Sequence, residues 1–257
     1  MGHGRFKRVV ACWAAVALAL VGSAGQTGFA ATRNGTAALA ARQAGPVAPT
    51  LSQAGAVGGG SLVADATVPR VLVFDSPGGT KVTHVLTNPT FEGVPLVMGV
   101  KAQQGDWLQV MLPERPNGTT GWVQKSQVGL RTVPNRILVE LSKFKLSVFR
   151  GNQLLMETPV GIGTPGTPTP IGQFYVDVAV PYDNPRGPYG VFMLSVAGFS
   201  DVLTTFAGGR GQIAIHGTSN ERSVGIQSSN GCLRVTNPVI MQLKDLAPTG
   251  TPVQIVA

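Results

Sequence analysis

Hydrophobic and polar positions change their rhythm several times along this chain. Residues 11–25, ACWAAVALALVGSAG, are almost continuously apolar, and residues 31–66 hold few large apolar groups and no period. From Val68 onward short apolar runs of strand length alternate with turn residues: VPRVLVFDSPGG, KVTHVL, GVPLVMGVKAQQGDWLQVML and PNGTTGWV. This spacing predicts about five short strands forming a small barrel over residues 67–130. From Arg136 the alternation sharpens. In RILVELSKFKLSVFR, lysines and serines separate Phe144, Leu146 and Val148; GNQ is a turn and LLMETPVGI a further strand, so a β-hairpin should open a second domain over 136–257. Sustained helical periodicity is missing over most of the length, and the predicted class is mostly β.

Composition adds a compartment. Arg5, Lys7 and Arg8, the apolar run and the small residues around Gly28-Phe29-Ala30 read as a secretory signal peptide over 1–30. An apolar run of roughly 15 residues is short of the roughly 20 that a spanning helix needs. No stable membrane insertion is therefore expected after cleavage, and the protein is expected to be secreted and associated with the cell wall. Cys12 has basic residues almost against it and the apolar run after it, the wrong order for a lipidated cysteine. Ala, Gly, Thr, Ser and Pro dominate 31–66, a composition that cannot offset its chain entropy by burial, so a flexible linker is expected there. The formal charge of +8 includes three leader cations, which leaves 8 − 3 = +5 on the mature chain. Scattered basic residues on an exported protein suit an anionic wall and not a nucleic acid.

Losing the leader removes Cys12 and leaves Cys232 alone, in SSNGCLRVTN at 228–237. An unpaired cysteine in an exported protein is either a reactive thiol or a small buried hydrophobe. Upstream, the apolar strand GQIAIHGT at 211–218 ends on His216 and Gly217. The thiolate is the nucleophile and a neighbouring imidazole favours it, so Cys232 and His216 are a candidate nucleophile and general base. Papain-like peptidases place cysteine before histidine; here the order is reversed. One cysteine and two mature histidines without clustered carboxylates do not make a zinc site, and no metal or other cofactor is expected. GIGTPG at 161–166 matches the dinucleotide pattern G-x-G-x-x-G, but Pro165, Pro168 and Pro170 forbid the helix that pattern requires, leaving a turn-rich loop. Trp107 and Trp122 read either as a ligand groove or as barrel packing, and His84 as ordinary surface.

DWLQVML followed by TTGWV, with the earlier VFDSPGG turn, resembles bacterial Src-homology-3-type domains. TPTPIGQFYV at 167–176, IHGT, SSNGCLRVTN and the terminal GTPVQIV together resemble the L,D-transpeptidase catalytic domain (YkuD family) over about 136–257. The fold implied is a small Src-homology-3-like β-barrel followed by an L,D-transpeptidase-type β-rich catalytic domain.

The chemistry implied is acyl transfer on peptidoglycan stem peptides, serving cell wall biogenesis and cell shape. Cys232 would attack the bond between the stem's L-diamino acid and the terminal D-Ala, release D-Ala as a thioester forms, and pass the acyl group to an amine in a 3→3 cross-link. The resemblance also implies oxyanion donors at the amides of Asn230, Gly231 and Cys232, and acylation of Cys232 by carbapenem inhibitors. Ser229, Gly217 and Arg234 are candidates for substrate contact; Ser229 reads equally as a turn former, and Arg234 as a brace for the loop. Where this chain has Asn230, many family members carry histidine. Two other readings stay open: an L,D-carboxypeptidase that gives the same thioester to water, and a non-catalytic wall-binding protein.

Overall fold

The computed structural model describes residues 56, 57, 59–206 and 208–257. The expected leader over 1–30, Cys12 and the first part of the expected linker lie outside the described residues. Strands β1 (Ala56–Val57), β2 (Gly60–Ala66), β3 (Arg70–Phe74), β4 (Val82–Thr87), β5 (Val97–Gln104), β6 (Trp107–Met111), β7 (Thr120–Gln124) and β8 (Val128–Val133) build the N-terminal lobe. They form a barrel-like sheet in the order β1-β2-β5-β6-β7-β3-β4, with β8 paired along β2. The two-residue alternation seen in the sequence is the alternation of faces. Val71, Val73, Leu108, Val110 and Val123 point inward and are all 0 % exposed, whereas Trp107 and Trp122 stay half-buried outside that core. Trp107 meets Phe74 edge to face, with ring centroids 5.2 Å apart.

One expectation is corrected here. Residues 60–66 are not linker: they form β2, which pairs antiparallel with both β5 and β8. Val63 and Ala64 are fully buried in it, and Asp65 takes a two-pronged ion pair from Arg131 at 2.6 and 3.0 Å. The small side chains of GSLVADA carry little apolar signal alone, but two neighbouring strands supply the area they bury.

The C-terminal lobe holds β9 (Asn135–Glu140), β10 (Lys145–Arg150), β11 (Gln153–Pro159), β12 (Ile162–Gly163), β13 (Gly172–Pro181), β14 (Phe192–Phe199), β15 (Gln212–Thr218), β16 (Gln227–Ser229), β17 (Leu233–Thr236), helix α1 (Asn237–Leu246) and β18 (Pro252–Val256). Eight of these strands form one sheet in the order β11-β10-β9-β18-β13-β14-β15-β17, and β12 pairs with β16 separately. The stretch 136–150, in which the sequence shows alternation from Lys143 to Phe149, reverses at Leu141–Lys143, and Phe144 takes a left-handed φ of 49°. Alternation continues on both arms, so the pattern does not register the reversal. Glu140 collects Lys143 and Lys145 across it at 2.6 and 3.0 Å. Helix α1 begins with Pro238 in its first turn, where a missing N–H costs nothing. It buries Ile240 and Leu243 completely, the helical spacing of an apolar stripe.

Arg115 and Asn117 of the barrel dock the two lobes. The Arg115 guanidinium donates to the carbonyls of Ser200, Leu203 and Arg210 at 2.7, 3.1 and 3.0 Å and lies over the Phe199 ring, 5.0 Å from its centroid. Asn117 exchanges hydrogen bonds with the Phe199 backbone at 2.7 and 2.9 Å.

Candidate active site

β15 and β17 run parallel, with Ile215 opposite Leu233 and His216 opposite Arg234. Ile213, Ile215, Leu233 and Val235 fill the core, each 0 % exposed. Alternation therefore puts Ala214, His216, Cys232 and Arg234 on the other face. One register step back sets Cys232 beside Ala214, with His216 on the diagonal. Cys232 is a free, half-buried thiol.

A clamp of hydrogen bonds fixes the turn that presents this thiol. Ser229, 2 % exposed, donates its hydroxyl to the Cys232 carbonyl at 2.5 Å and accepts the Gly231 N–H at 3.2 Å. Gly231 itself holds a φ of 109°, a conformation open to glycine and strained for other residues. The loop beginning GIGTPG supports the turn from behind: Thr169 donates to the Gly231 carbonyl at 3.0 Å, and the hydroxyl of Thr167 and the amide of Thr164 donate to the Ser229 carbonyl at 3.1 and 3.0 Å.

These contacts correct two sequence-based expectations, for Gly231 and Gly217, and decide between readings of two other residues. The Gly231 amide is already committed to Ser229, so it is not an open oxyanion donor; the N–H groups of Asn230 and Cys232 have no acceptor among the described residues. Of the two readings of Ser229, its contacts make it the turn former: it is enclosed and ties the turn together. Gly217 is likewise buried, since a Cβ there would lie 2.4 Å from Asn237 Oδ1 and 2.9 Å from Ile240 Cγ2. Of the two readings of Arg234, its Nη1 makes the loop brace, donating to the Ser228 carbonyl at 2.9 Å. Asn230 is exposed at the tip of the turn.

His216 is 2 % exposed, with Nδ1 2.8 Å from the Gly217 carbonyl. A carbonyl only accepts, so the proton sits on Nδ1 and Nε2 keeps a free lone pair. Burial drops His216 to about 4, against the bond to Gly217 and with the help of the Arg234 charge. Burial pushes the Cys232 thiol up, opposed by a backbone hydrogen bond at Ala214 and by Arg234. Both groups are thus neutral at ordinary pH, a protonated thiol and an unprotonated imidazole.

The sequence reading did not identify two tyrosines at this site. Tyr182 and Tyr189 lie in the loop between β13 and β14, stacked with centroids 5.4 Å apart, and Tyr189 meets the His216 ring edge-on at 5.2 Å. Burial and then the Cys232 charge raise both phenols, Tyr189 to about 12. Asn237, at the start of α1, ties this loop down by accepting the Val191 N–H and donating to the Pro185 carbonyl, both at 3.1 Å. Among the described residues no group of three or more His, Cys, Asp or Glu side chains is placed to hold a metal, and no helix is long and apolar enough to cross a membrane.

Residues 134–255 match the family model for the L,D-transpeptidase catalytic domain, YkuD. The L,D-transpeptidase YkuD of Bacillus licheniformis is 32% identical over 154 residues, which cover 57% of this chain and 85% of that protein. The Bacillus subtilis protein of the same name is 32% identical over 124 residues, 48% of this chain and 67% of the relative. A solved L,D-transpeptidase catalytic domain from Enterococcus faecium aligns at 21% identity with a TM-score of 0.37, covering 48% of this chain and 96% of that one.

Proposed function

This chain belongs to the YkuD family of L,D-transpeptidase catalytic domains, and from that premise we propose that Cys232 is the nucleophile of a two-step acyl transfer between peptidoglycan stem peptides. The observation that carries the reading is the Nδ1 bond of His216 to Gly217, which leaves Nε2 as a base on the same sheet face as Cys232. In the first step His216 takes the thiol proton as sulfur bonds to the carbonyl carbon between the stem's L-diamino acid and its D-Ala. The oxyanion draws on the free N–H groups of Asn230 and Cys232. Collapse breaks the C–N bond, His216 returns its proton to the departing D-Ala amine, and a thioester remains. In the second step an amine of another stem attacks the thioester carbonyl, His216 takes the amine's proton and passes it to sulfur, and a 3→3 cross-link is released with the free thiol restored.

Tyr189 covers the His216 ring and Tyr182 stacks on Tyr189, limiting the water that competes with the amine. Action outside the cytoplasm, at the wall, follows from the signal-like N-terminus and belongs to the same proposal, as does acylation of Cys232 by a carbapenem. The test is to incubate the purified chain and Cys232→Ala with a tetrapeptide stem and analyse the products by mass. Cross-linked dimer from the wild type alone is expected. Free tripeptide without dimer would move the assignment to an L,D-carboxypeptidase, and full cross-linking by Cys232→Ala would refute the nucleophile.

A further inference from the structure

A second concave site lies between the lobes. A cavity of about 170 Å³ is walled by Val85, Thr90, Phe91 and Glu92 of the barrel and by Asp177 and Gln212 of the catalytic lobe, among others. At the roughly 30 Å³ a water occupies in the liquid, it has room for a chain of about five or six heavy atoms. Asp177 stands at the register shift of β13, between Val176 and Val178, where the ladder with β14 is interrupted. Its Oδ2 accepts from Gln212 Nε2 at 2.6 Å. Its Oδ1 and the hydroxyl oxygen of Thr90 are both shut off from solvent and have no hydrogen-bond partner. The two residues, one from each lobe, line the same cavity, and buried polar atoms left without a partner call for an explanation.

The charge balance selects the kind of occupant. Glu92, Glu114 and Asp177 line the cavity with a single cation, Arg210, and Arg210 is committed to Glu114 and to the Phe199 ring. Asp177 and Glu92 are left unmatched, in a chain whose overall charge is positive. They repel one another, and that repulsion joins burial in holding the Asp177 carboxyl up at about 6. The lining also holds open apolar side chains: Phe91 is 96 % exposed and Val85 42 %. A chain of methylenes ending in a positive charge suits both kinds of lining.

We propose that this inter-lobe cavity binds an aliphatic ammonium group, its charge held by Asp177 and Glu92, one N–H donated to Thr90, and its methylenes lying along Phe91 and Val85. Gln212, which anchors Asp177, shares a face of β15 with Ala214 and His216, so the cavity adjoins the face that carries Cys232. The source is then the side-chain ammonium of a stem peptide's diamino acid, an assignment that rests on the transpeptidase reading, whereas the binding itself does not.

The test uses the full-length Cys232→Ala chain, titrated calorimetrically with Nα-acetyl-L-lysine amide and with its uncharged analogue Nα-acetyl-L-norleucine amide. Saturable binding of the lysine compound is expected, at least about tenfold tighter than the analogue. Adding Asp177→Asn or, separately, Glu92→Gln should weaken it at least about fivefold; Glu92 lies on a half-exposed loop, so its variant keeps the fold. Equal binding of the two compounds, no saturable binding, or indifference to both substitutions overturns the site. In a second arm, a stem peptide with a free side-chain amine should bind more tightly than its amine-acetylated form, and equal affinity overturns the wall peptide as source. Cys232 acylation by a carbapenem on the wild type is read separately, so failure of this site and failure of the catalytic reading give different results.

Discussion

The neutral state of the Cys232–His216 pair sets the pH dependence of the reaction. His216 is held at about 4 and Cys232 above the ordinary thiol value of 9.0. Moving the proton from sulfur to imidazole before substrate arrives therefore spans at least five pH units, about 7 kcal/mol at 1.36 kcal/mol each. Attraction between the ions, even if they stood about 4 Å apart in an effective dielectric near 20, would return no more than about 4 kcal/mol. At least about 3 kcal/mol remains, so at most about one molecule in a hundred is pre-ionised. The perturbation is pH, over about 3.5 to 9.5, and the assay is the rate of carbapenem acylation by intact mass, with thiolate absorbance followed as wild type minus Cys232→Ala. The expected rate is level from about pH 5.5 to 8 and falls below 5 as His216 gains a proton, with no thiolate step below about pH 8. A thiolate step between about pH 5 and 7, or a bell-shaped rate profile with its limbs there, would refute the neutral pair.

Other perturbations have equally definite outcomes. Ser229→Ala strips the Gly231 N–H and the Cys232 carbonyl of their partner and should cost about 1–3 kcal/mol in denaturant melts, with slower acylation. Gly217→Ala forces a Cβ against Asn237 and Ile240; about 1–3 kcal/mol of stability should be lost, with a faster share of thioester hydrolysis as the tyrosine loop loosens. Arg115→Ala leaves three carbonyls at the lobe interface without their donor and should lower stability by about 2–3 kcal/mol, read as a lower thermal midpoint. Asp177→Asn should act the other way. The folded carboxyl titrates near 6 against 3.8 unfolded, so its charge weighs against folding increasingly between about pH 4 and 6. Removing it should stabilise by roughly 2–3 kcal/mol at pH 7.5 and by almost nothing below about pH 4, in melts across that range.

Legibility in the sequence followed local physics. β3, β6 and β7 were readable because each alternates strictly between core and surface. β2 was not, because GSLVADA owes its order to strands 30 to 70 residues further along the chain. The turn at Leu141–Lys143 escaped because both arms keep the same alternation. At the site, Cys232 and His216 stood out because a lone thiol and a strand-ending imidazole are chemically matched wherever they lie. The tyrosines did not, since PYDNPRGPYG reads as turn residues and only the fold lays Tyr189 against His216.

The sequence by itself determined which groups are present and how each strand divides into two faces. Those are properties of residue type and of a backbone that repeats every two residues. Tertiary structure alone decided the protonation of the site and the fate of its amides. A titration value depends on burial and on the charges brought near, and burial of His216 requires β15, β17 and the tyrosine loop together. An N–H is free or committed only once the chain has closed on itself, as the Gly231 amide did on Ser229. The inter-lobe cavity is likewise a product of docking, because Thr90 and Asp177 share a wall only when Arg115 and Asn117 hold the two lobes against each other.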